Sequence, residues 1–120
     1  YTNVDTLSLH DALPIWRGLM AAARVSVSQA GYNTVCDMLV AGCQSVLVPY
    51  ASGGETEQTL RAEKLAALGL ASSLPEDGLT PEAMAGAIRK ALARADQPRP
   101  ALRLDGAEET ARLLTELATR

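Results

Sequence analysis

The fold of the chain is decided by residues 25–58, which read VSVSQAGYNTVCDMLVAGCQSVLVPYASGGETEQ. Two short runs rich in β-branched residues, 25–28 and 44–48, predict strands. Each run is followed by a small, polar, glycine-bearing loop and then by a helical pattern. Gly42 is expected to end the first of these helices, and Pro49 ends the second strand. Because the order strand–helix–strand implies parallel strands with right-handed crossovers, we predict half of a doubly wound α/β domain with a parallel sheet.

The rest of the chain continues the alternation of strands and helices. A short third strand is predicted around 70–74, and "LTPEAM" is a helix start with Thr80 as N-cap and Pro81 as the first helical residue. The stretch "ADQPRPALRL" predicts a linker, after which Asp105 and Glu108 are expected to cap the last helix. We predict helices over about 34–41, 55–68, 81–94 and 106–119.

Residues 1–16 show no clean helical or strand period. They resemble translated sequencing-adapter sequence. We therefore expect this segment to be non-native or disordered and to pack poorly, and His10 and Asp11 to have no function. The native chain is expected to begin near residues 16–19.

Composition excludes several function classes. The chain has 120 residues, enough for one domain, and a net charge of −3 from 11 basic and 14 acidic residues in even mixture. The absence of a basic stripe and the aromatic content of only 3% argue against nucleic acid. No apolar run reaches the ~18 residues of a membrane span, so a cytoplasmic protein is expected. Cys36 and Cys43 are interpreted as buried thiols, and with a single histidine no metal site is expected.

The two polar loops occupy positions where open parallel sheets bind ligands, after the carboxyl ends of strands. Gly31 permits close approach of a ligand to the backbone, and the amides of residues 33–35 would open a helix whose positive end suits a phosphate. The Thr34 hydroxyl can add a hydrogen bond, and Asp37 could accept two hydroxyls of a ribose. These features indicate a nucleotide site.

Helix capping explains much of the same pattern without a ligand. Thr34-x-x-Asp37 has the form of a capping box, and Ser52-x-x-Glu55 would cap the next helix. However, Glu55, Glu57 and Gln58 crowd three polar groups into one helical turn, which is more than a cap needs. The residues alone leave both explanations open.

Residues 23–71, ARVSVSQAGYNTVCDMLVAGCQSVLVPYASGGETEQTLRAEKLAALGLA, resemble the C-terminal domain of glycosyltransferase family 28. That family includes the peptidoglycan transferase that adds N-acetylglucosamine to lipid I. The motifs "GYNT" and "GGETEQT" are similar to those of related bacterial predicted glycosyltransferases. The resemblance runs from about residue 19 to residue 94. Its motif is "AG-x-x-T" with an acid three residues on, then "VP" and a polar loop that ends in "EQ".

The resemblance implies a GT-B fold, in which two Rossmann-like domains enclose the active site. Residues 17–96 would be part of the donor-binding domain, and residues 97–120 a linker and terminal helix. The donor would be a nucleotide-diphosphate sugar, UDP-linked, with no cofactor and no metal. Gly31 to Thr34 would hold the diphosphate, Asp37 the ribose, and Glu57 and Gln58 the sugar and its phosphates. The full set of donor-binding residues implied is Gln29, Gly31, Tyr32, Asn33, Thr34, Asp37, Gly54, Glu55, Glu57 and Gln58.

The reaction implied is an inverting, metal-independent hexosyl transfer to a lipid-linked or small-molecule acceptor. The catalytic base and the acceptor site are expected in an N-terminal domain outside these residues, so the fragment alone should be inactive. Membrane association, at the inner face, is expected only through that domain. Gln29 stands where the peptidoglycan enzyme commonly has arginine, and Asp37 is one methylene shorter than the usual glutamate. A non-catalytic nucleotide-binding module and a sugar-nucleotide epimerase of GT-B-like fold are the alternatives.

Overall fold

The computed structural model describes the backbone of residues 9–119 and the side chains of residues 15–119. Three parallel strands form one sheet in the order β1-β2-β3, and they are β1 (Val25–Ser28), β2 (Gln44–Leu47) and β3 (Ala71–Ser73). Val25 pairs with Gln44, and Ser45 pairs with Ala71. The predicted parallel pairing of residues 25–28 with residues 44–48 is confirmed, and β3 confirms the third strand.

Five α-helices lie within the described residues. They are α1 (Leu9–Ala22), α2 (Tyr32–Ala41), α3 (Glu57–Ala67), α4 (Pro81–Ala95) and α5 (Gly106–Ala118). Single 3₁₀ turns lie at Ser52–Gly54 and Glu76–Gly78. The four predicted helices are confirmed, with boundaries that differ by up to two residues.

The core is built around β2, whose four residues are all buried. A central strand of a parallel sheet is covered on both faces, which is why Val46 and Leu47 are fully excluded from solvent. The helices contribute small and flexible side chains to this core, among them Met38, Ala62 and Leu65. Helix α4 packs on β2, α3 packs on β3, and α1 packs on α2.

The two cysteines differ in their surroundings. Cys43 is buried, and its thiol has two carbonyl oxygens within donating distance, that of Ala23 at 3.5 Å and that of Gln44 at 3.2 Å. Burial raises the pKa of the Cys43 thiol, which makes it a poor nucleophile. Cys36 is partly exposed, so the expectation of two buried thiols is correct only for Cys43.

Glycine ends two of the helices as predicted. Gly42 and Gly69 have φ of 77° and 73°, the left-handed conformation of a helix C-terminus. After α3, the amide of Leu70 donates to Leu65 O and that of Gly69 to Ala66 O, both at 3.0 Å, which is a Schellman motif.

The predicted N-caps have different outcomes. The Thr80 hydroxyl accepts from the amide of Ala83 at 3.1 Å, so the cap of α4 is confirmed. The capping of α5 by Asp105 and Glu108 is wrong, because Asp105 makes no side-chain cap bond. Its carboxylate accepts from Arg103 at 3.0 and 2.7 Å instead. A bidentate guanidinium is a stronger partner than a neutral backbone amide.

The N-terminal segment is helical from Leu9, where the sequence showed no period. Extending an existing helix costs less than starting one, and α1 is anchored to the core by Met20, which is 4% exposed. Ile15 and Trp16 are exposed. Residues 1–8, and the side chains of His10 and Asp11, lie outside the described residues, so the non-native origin of residues 1–16 stays a prediction.

The amino edge of the sheet collects the C-terminal ends of three helices. The ends of α1, α2 and α4 line a cavity of about 270 Å³ together with Arg24, Arg94 and Arg99. Arg94 donates to Gln44 Oε1 at 3.1 Å and to Ser72 Oγ at 2.9 Å. Since helix C-termini carry partial negative charge, cations are stabilising at this edge.

Helix α5 has no buried residue, and Leu113, Leu114 and Leu117 are exposed along it. Among the described helices, none combines the length and the apolar character needed to cross a bilayer.

We expect Gly42→Ala to lower the free energy of unfolding by about 1–2 kcal/mol, because the side chain must adopt a left-handed conformation. The new Cβ would lie 2.8 Å from Arg99 Nη1, but that flexible side chain can move away. Gly78→Ala is the matched control, since Gly78 has ordinary φ and nothing within 4 Å of the added Cβ. Urea denaturation measures both variants, and equal losses would contradict the role of Gly42 as the left-handed cap.

Candidate functional site

Two loops follow the carboxyl ends of adjacent strands, residues 29–31 after β1 and residues 48–56 after β2. We call them the paired loops. Gln58, near the start of α3, joins them: its Oε1 accepts from the amide of Ala30 at 3.1 Å and from the amide of Tyr50 at 3.0 Å. One side-chain oxygen therefore sets the spacing of the two loops.

Helix α2 opens at the first of the paired loops without a side-chain cap. Its N-cap is Gly31, in extended conformation with φ −61° and ψ 150°. The first intrahelical bond runs from the amide of Val35 to Gly31 O at 3.0 Å. The amides of residues 32–34 have no intrahelical acceptor, and no described side chain accepts from them. The arrangement is an open helix N-terminus of the kind that binds anions.

The capping-box explanation for Thr34 and Asp37 is therefore wrong. Helix α2 begins two residues earlier than predicted, so Thr34 lies within its first turn and not at the N-cap. The N-cap is Gly31, which has no side chain to accept a hydrogen bond, so the helix starts there without a side-chain cap. Of the amides at 33–35 proposed for phosphate, that of Val35 is used inside the helix.

The second predicted cap is also placed differently. Ser52 lies in a 3₁₀ turn, and α3 begins at Glu57. The carboxylate of Glu55 accepts from the amide of Glu57 at 2.6 Å, so Glu55 and not Ser52 satisfies the start of α3. A carboxylate is a stronger acceptor than a hydroxyl at the positive end of a helix. Glu55 is thus already bonded, whereas Glu57 is 80% exposed.

Asp37 lies on the side of α2 that faces α1. It is 5% exposed, and its Oδ1 accepts from Arg17 Nε at 2.7 Å. Its Oδ2 has no hydrogen bond from a described residue. The structure therefore places Asp37 in an ion pair between two helices, apart from the bonds that join the paired loops.

Arg61 belongs to the site, although the sequence analysis missed it. Its Nη1 donates to Ala30 O at 2.7 Å, and its guanidinium carbon lies 5.8 Å from the centroid of the Tyr32 ring. Together Gln58 and Arg61 hold both the amide and the carbonyl of Ala30. The spacing from Gln58 could have identified Arg61, because residues three apart on a helix share a face.

The structure thus brings together part of the predicted site. Gly31, Tyr32, Gln58 and the unpredicted Arg61 surround Ala30, which is fully buried. Gln29, Asn33 and Gly54 are exposed around them, while Asp37 is turned toward α1. Ser28 Oγ, at the end of β1, is buried without a hydrogen-bond partner among the described residues. Within the same residues, no group of three His, Cys, Asp or Glu side chains could hold a metal ion.

We expect Gln58→Leu to lower the free energy of unfolding by about 1–3 kcal/mol, because it leaves the buried amide of Ala30 unpaired. Hydrogen exchange should accelerate at the amides of Ala30 and Tyr50 in particular. Gln58→Glu keeps the acceptor and should protect both amides. Glu63→Leu, at an exposed position of the same helix, is the control, with an expected change within about 0.5 kcal/mol. Unchanged exchange in Gln58→Leu would mean that the two loops are held by other contacts.

Comparisons with known proteins identify the family of the chain. The model of the glycosyltransferase family 28 C-terminal domain matches residues 4–116, a wider range than the resemblance at residues 19–94. A UDP-N-acetylglucosamine–N-acetylmuramyl-(pentapeptide) pyrophosphoryl-undecaprenol N-acetylglucosamine transferase of Methylorubrum populi is 31% identical over an alignment of 118 residues that covers 90% of this chain and 32% of the relative. The same transferase of Phenylobacterium zucineum is 36% identical over an alignment of 91 residues that covers 73% of this chain and 25% of the relative.

A solved structure shows a similar fold. The crystal structure of the glycotransferase of kitacinnamycin has a TM-score of 0.56 at 24% identity, and the match covers 68% of this chain and 20% of that chain. The parallel α/β class expected for part of a GT-B donor domain is confirmed. The chain spans about a third of the length of the Methylorubrum relative, 32%. It belongs to the glycosyltransferase family 28 C-terminal domain family.

Proposed function

We propose that this chain is part of the donor-binding domain of a glycosyltransferase that transfers a hexosyl group from a UDP-sugar to an acceptor. The observation that carries the proposal is the edge formed by the paired loops, where the open N-terminus of α2 lies beside a loop that Gln58 fixes in place. Membership of the family and the names of the relatives support a nucleotide-sugar donor.

The diphosphate of the donor would lie at the amides of residues 32–34, where Gly31 leaves the backbone open to close approach. The Thr34 hydroxyl would add a hydrogen bond. Gln58 uses Oε1 to hold the loops, and its Nε2 remains available to donate to a phosphate oxygen. The exposed carboxylate of Glu57 is suited to accept hydroxyls of the hexose.

The chemistry proposed is displacement at the anomeric carbon. A base of the other domain takes the proton of the acceptor hydroxyl, whose oxygen forms the new bond as the bond from the anomeric carbon to the diphosphate breaks. Attack opposite the leaving group inverts the anomeric configuration. The negative charge that develops on the departing UDP is stabilised by the fixed dipoles at the α2 N-terminus, so no metal ion is required.

The acceptor is proposed to be lipid-linked, because the relatives' names give a pyrophosphoryl-undecaprenol acceptor. Such an acceptor would bring the whole enzyme to the inner face of the cytoplasmic membrane. Contact with the bilayer would be made by the acceptor domain.

We expect the full-length protein to bind UDP and UDP-N-acetylglucosamine in calorimetry, with affinities that EDTA does not change. With a lipid-linked acceptor, proton NMR should show a product of inverted anomeric configuration. Binding without any turnover would favour a nucleotide-binding module, and conversion of the free nucleotide sugar into an epimer would favour an epimerase. Absence of UDP binding would overturn the proposed function.

Asp37 is proposed to bind the ribose through Oδ2 while Oδ1 stays bonded to Arg17. In the full-length protein, Asp37→Ala should lower UDP affinity by about tenfold or more, since charge-assisted hydrogen bonds are worth about 1.5–3 kcal/mol each. Asp37→Asn should also weaken binding, because an amide oxygen accepts less strongly than a carboxylate.

Arg17→Met is the control, because it removes the ion pair and keeps the carboxylate. Calorimetry for UDP and urea denaturation for stability separate the two roles. If Asp37→Asn and Arg17→Met lose stability equally and both bind UDP as tightly as the parent, Asp37 only joins α1 to α2 and the ribose assignment is wrong.

A further inference from the structure

The guanidinium of Arg61 lies at an unusual place for a cation. Its Nη1 is 2.7 Å from the carbonyl oxygen of Ala30, one residue before Gly31, the N-cap of α2. Arg61 itself is the fifth residue of α3, so its own helix also begins nearby. The charge thus sits close to the amino ends of two helices.

Helix dipoles disfavour a cation in this position. The amino end of a helix carries partial positive charge, and carboxylates or phosphates are the groups that it stabilises. The amino edge of the sheet follows this rule, because Arg24, Arg94 and Arg99 lie where helices end. Arg61 departs from it. The placement becomes favourable once an anion lies between the guanidinium and the helix.

No carboxylate of the described residues compensates Arg61 well. Its one acidic neighbour, Glu57, is 3.8 Å from Nη2 and 80% exposed. An exposed pair at that distance contributes little, about 0–1 kcal/mol. Arg61 therefore retains most of its capacity for an anionic partner.

The bond to Ala30 O does not by itself explain an arginine. That bond uses Nη1 alone, and Nη2 and Nε make no hydrogen bond to a described residue. The side chain is 25% exposed, so part of it is reachable from solvent. The Tyr32 ring lies 5.8 Å from the guanidinium carbon, within the range of a cation–π contact. A planar fork held in this way matches two oxygens of a phosphate.

We propose that Arg61 binds the diphosphate of the donor. Nη1 holds the first loop, and the free donors of the guanidinium reach the phosphate oxygens that lie at the N-terminus of α2. The loop at residues 29–33 contains no cationic residue of its own, so α3 supplies the charge. This inference rests on the proposed function and adds a residue to its site.

The test compares a ligand with phosphates to one without. In the full-length protein, UDP is titrated by calorimetry, and uridine is measured by displacement. We expect Arg61→Gln to lower the affinity for UDP by about tenfold or more and the affinity for uridine by less than about twofold. The dependence of UDP affinity on salt should also become shallower. Lys64→Gln, an exposed cation of the same helix, should leave both affinities unchanged.

A purely structural role predicts a different pattern. If Arg61 only holds Ala30, Arg61→Gln should lower the affinities for UDP and uridine by the same factor and should also lower the melting temperature. That result overturns the inference about Arg61. UDP binding by the parent protein would still uphold the proposed function. If Arg61→Gln does not fold, Arg61→Lys is tested in its place, and the loss of UDP affinity is again compared with the loss of uridine affinity. A lysine can reach the carbonyl or a phosphate but not both. A parent protein that does not bind UDP overturns both proposals.

Discussion

The parallel pairing of β1 with β2 is the constraint on which the rest of the molecule depends. Parallel neighbours end at the same edge of a sheet, so the two loops that follow them must lie side by side. Burial of all four residues of β2 reflects its place at the centre of the sheet, where it is covered on both faces. Gln58 then needs only one side-chain oxygen to join both loops.

The same topology places the negative C-terminal ends of helices at one edge of the sheet and the positive N-terminus of α2 at the other. Three helices end at the amino edge of the sheet, and arginines gather there in agreement with the dipoles. At the carboxyl edge α2 begins with free amides, and a positive field faces the paired loops. Arg61 adds to this field and does not oppose it. Such an arrangement adds little to the stability of the protein alone, which points to an anionic partner.

Much of the fold could be predicted from the chain by itself. The pattern of β-branched runs, the glycines at 42 and 69 and the cap at Thr80 act locally, and each appears in the structure as expected. The capping boxes at Thr34 and Ser52 were wrong for a common reason. Both sequences have a suitable hydroxyl and acid, but the helices begin at other residues. Helix α2 begins after Gly31 with no side-chain cap, and Glu55 accepts from the first amide of α3.

The sequence by itself determined the class of fold and the two loops that form the candidate site, because these follow from periodicity and from residues close together in the chain. The resemblance of its motifs to a known family identified the family. Only the tertiary structure decided how the site is held. The pairing of Asp37 with Arg17, 20 residues apart, and the contact of Arg61 with Ala30, 31 residues apart, depend on how helices pack on the sheet. No local pattern encodes such contacts, since the direction of a side chain in space is set by the packing of its whole helix.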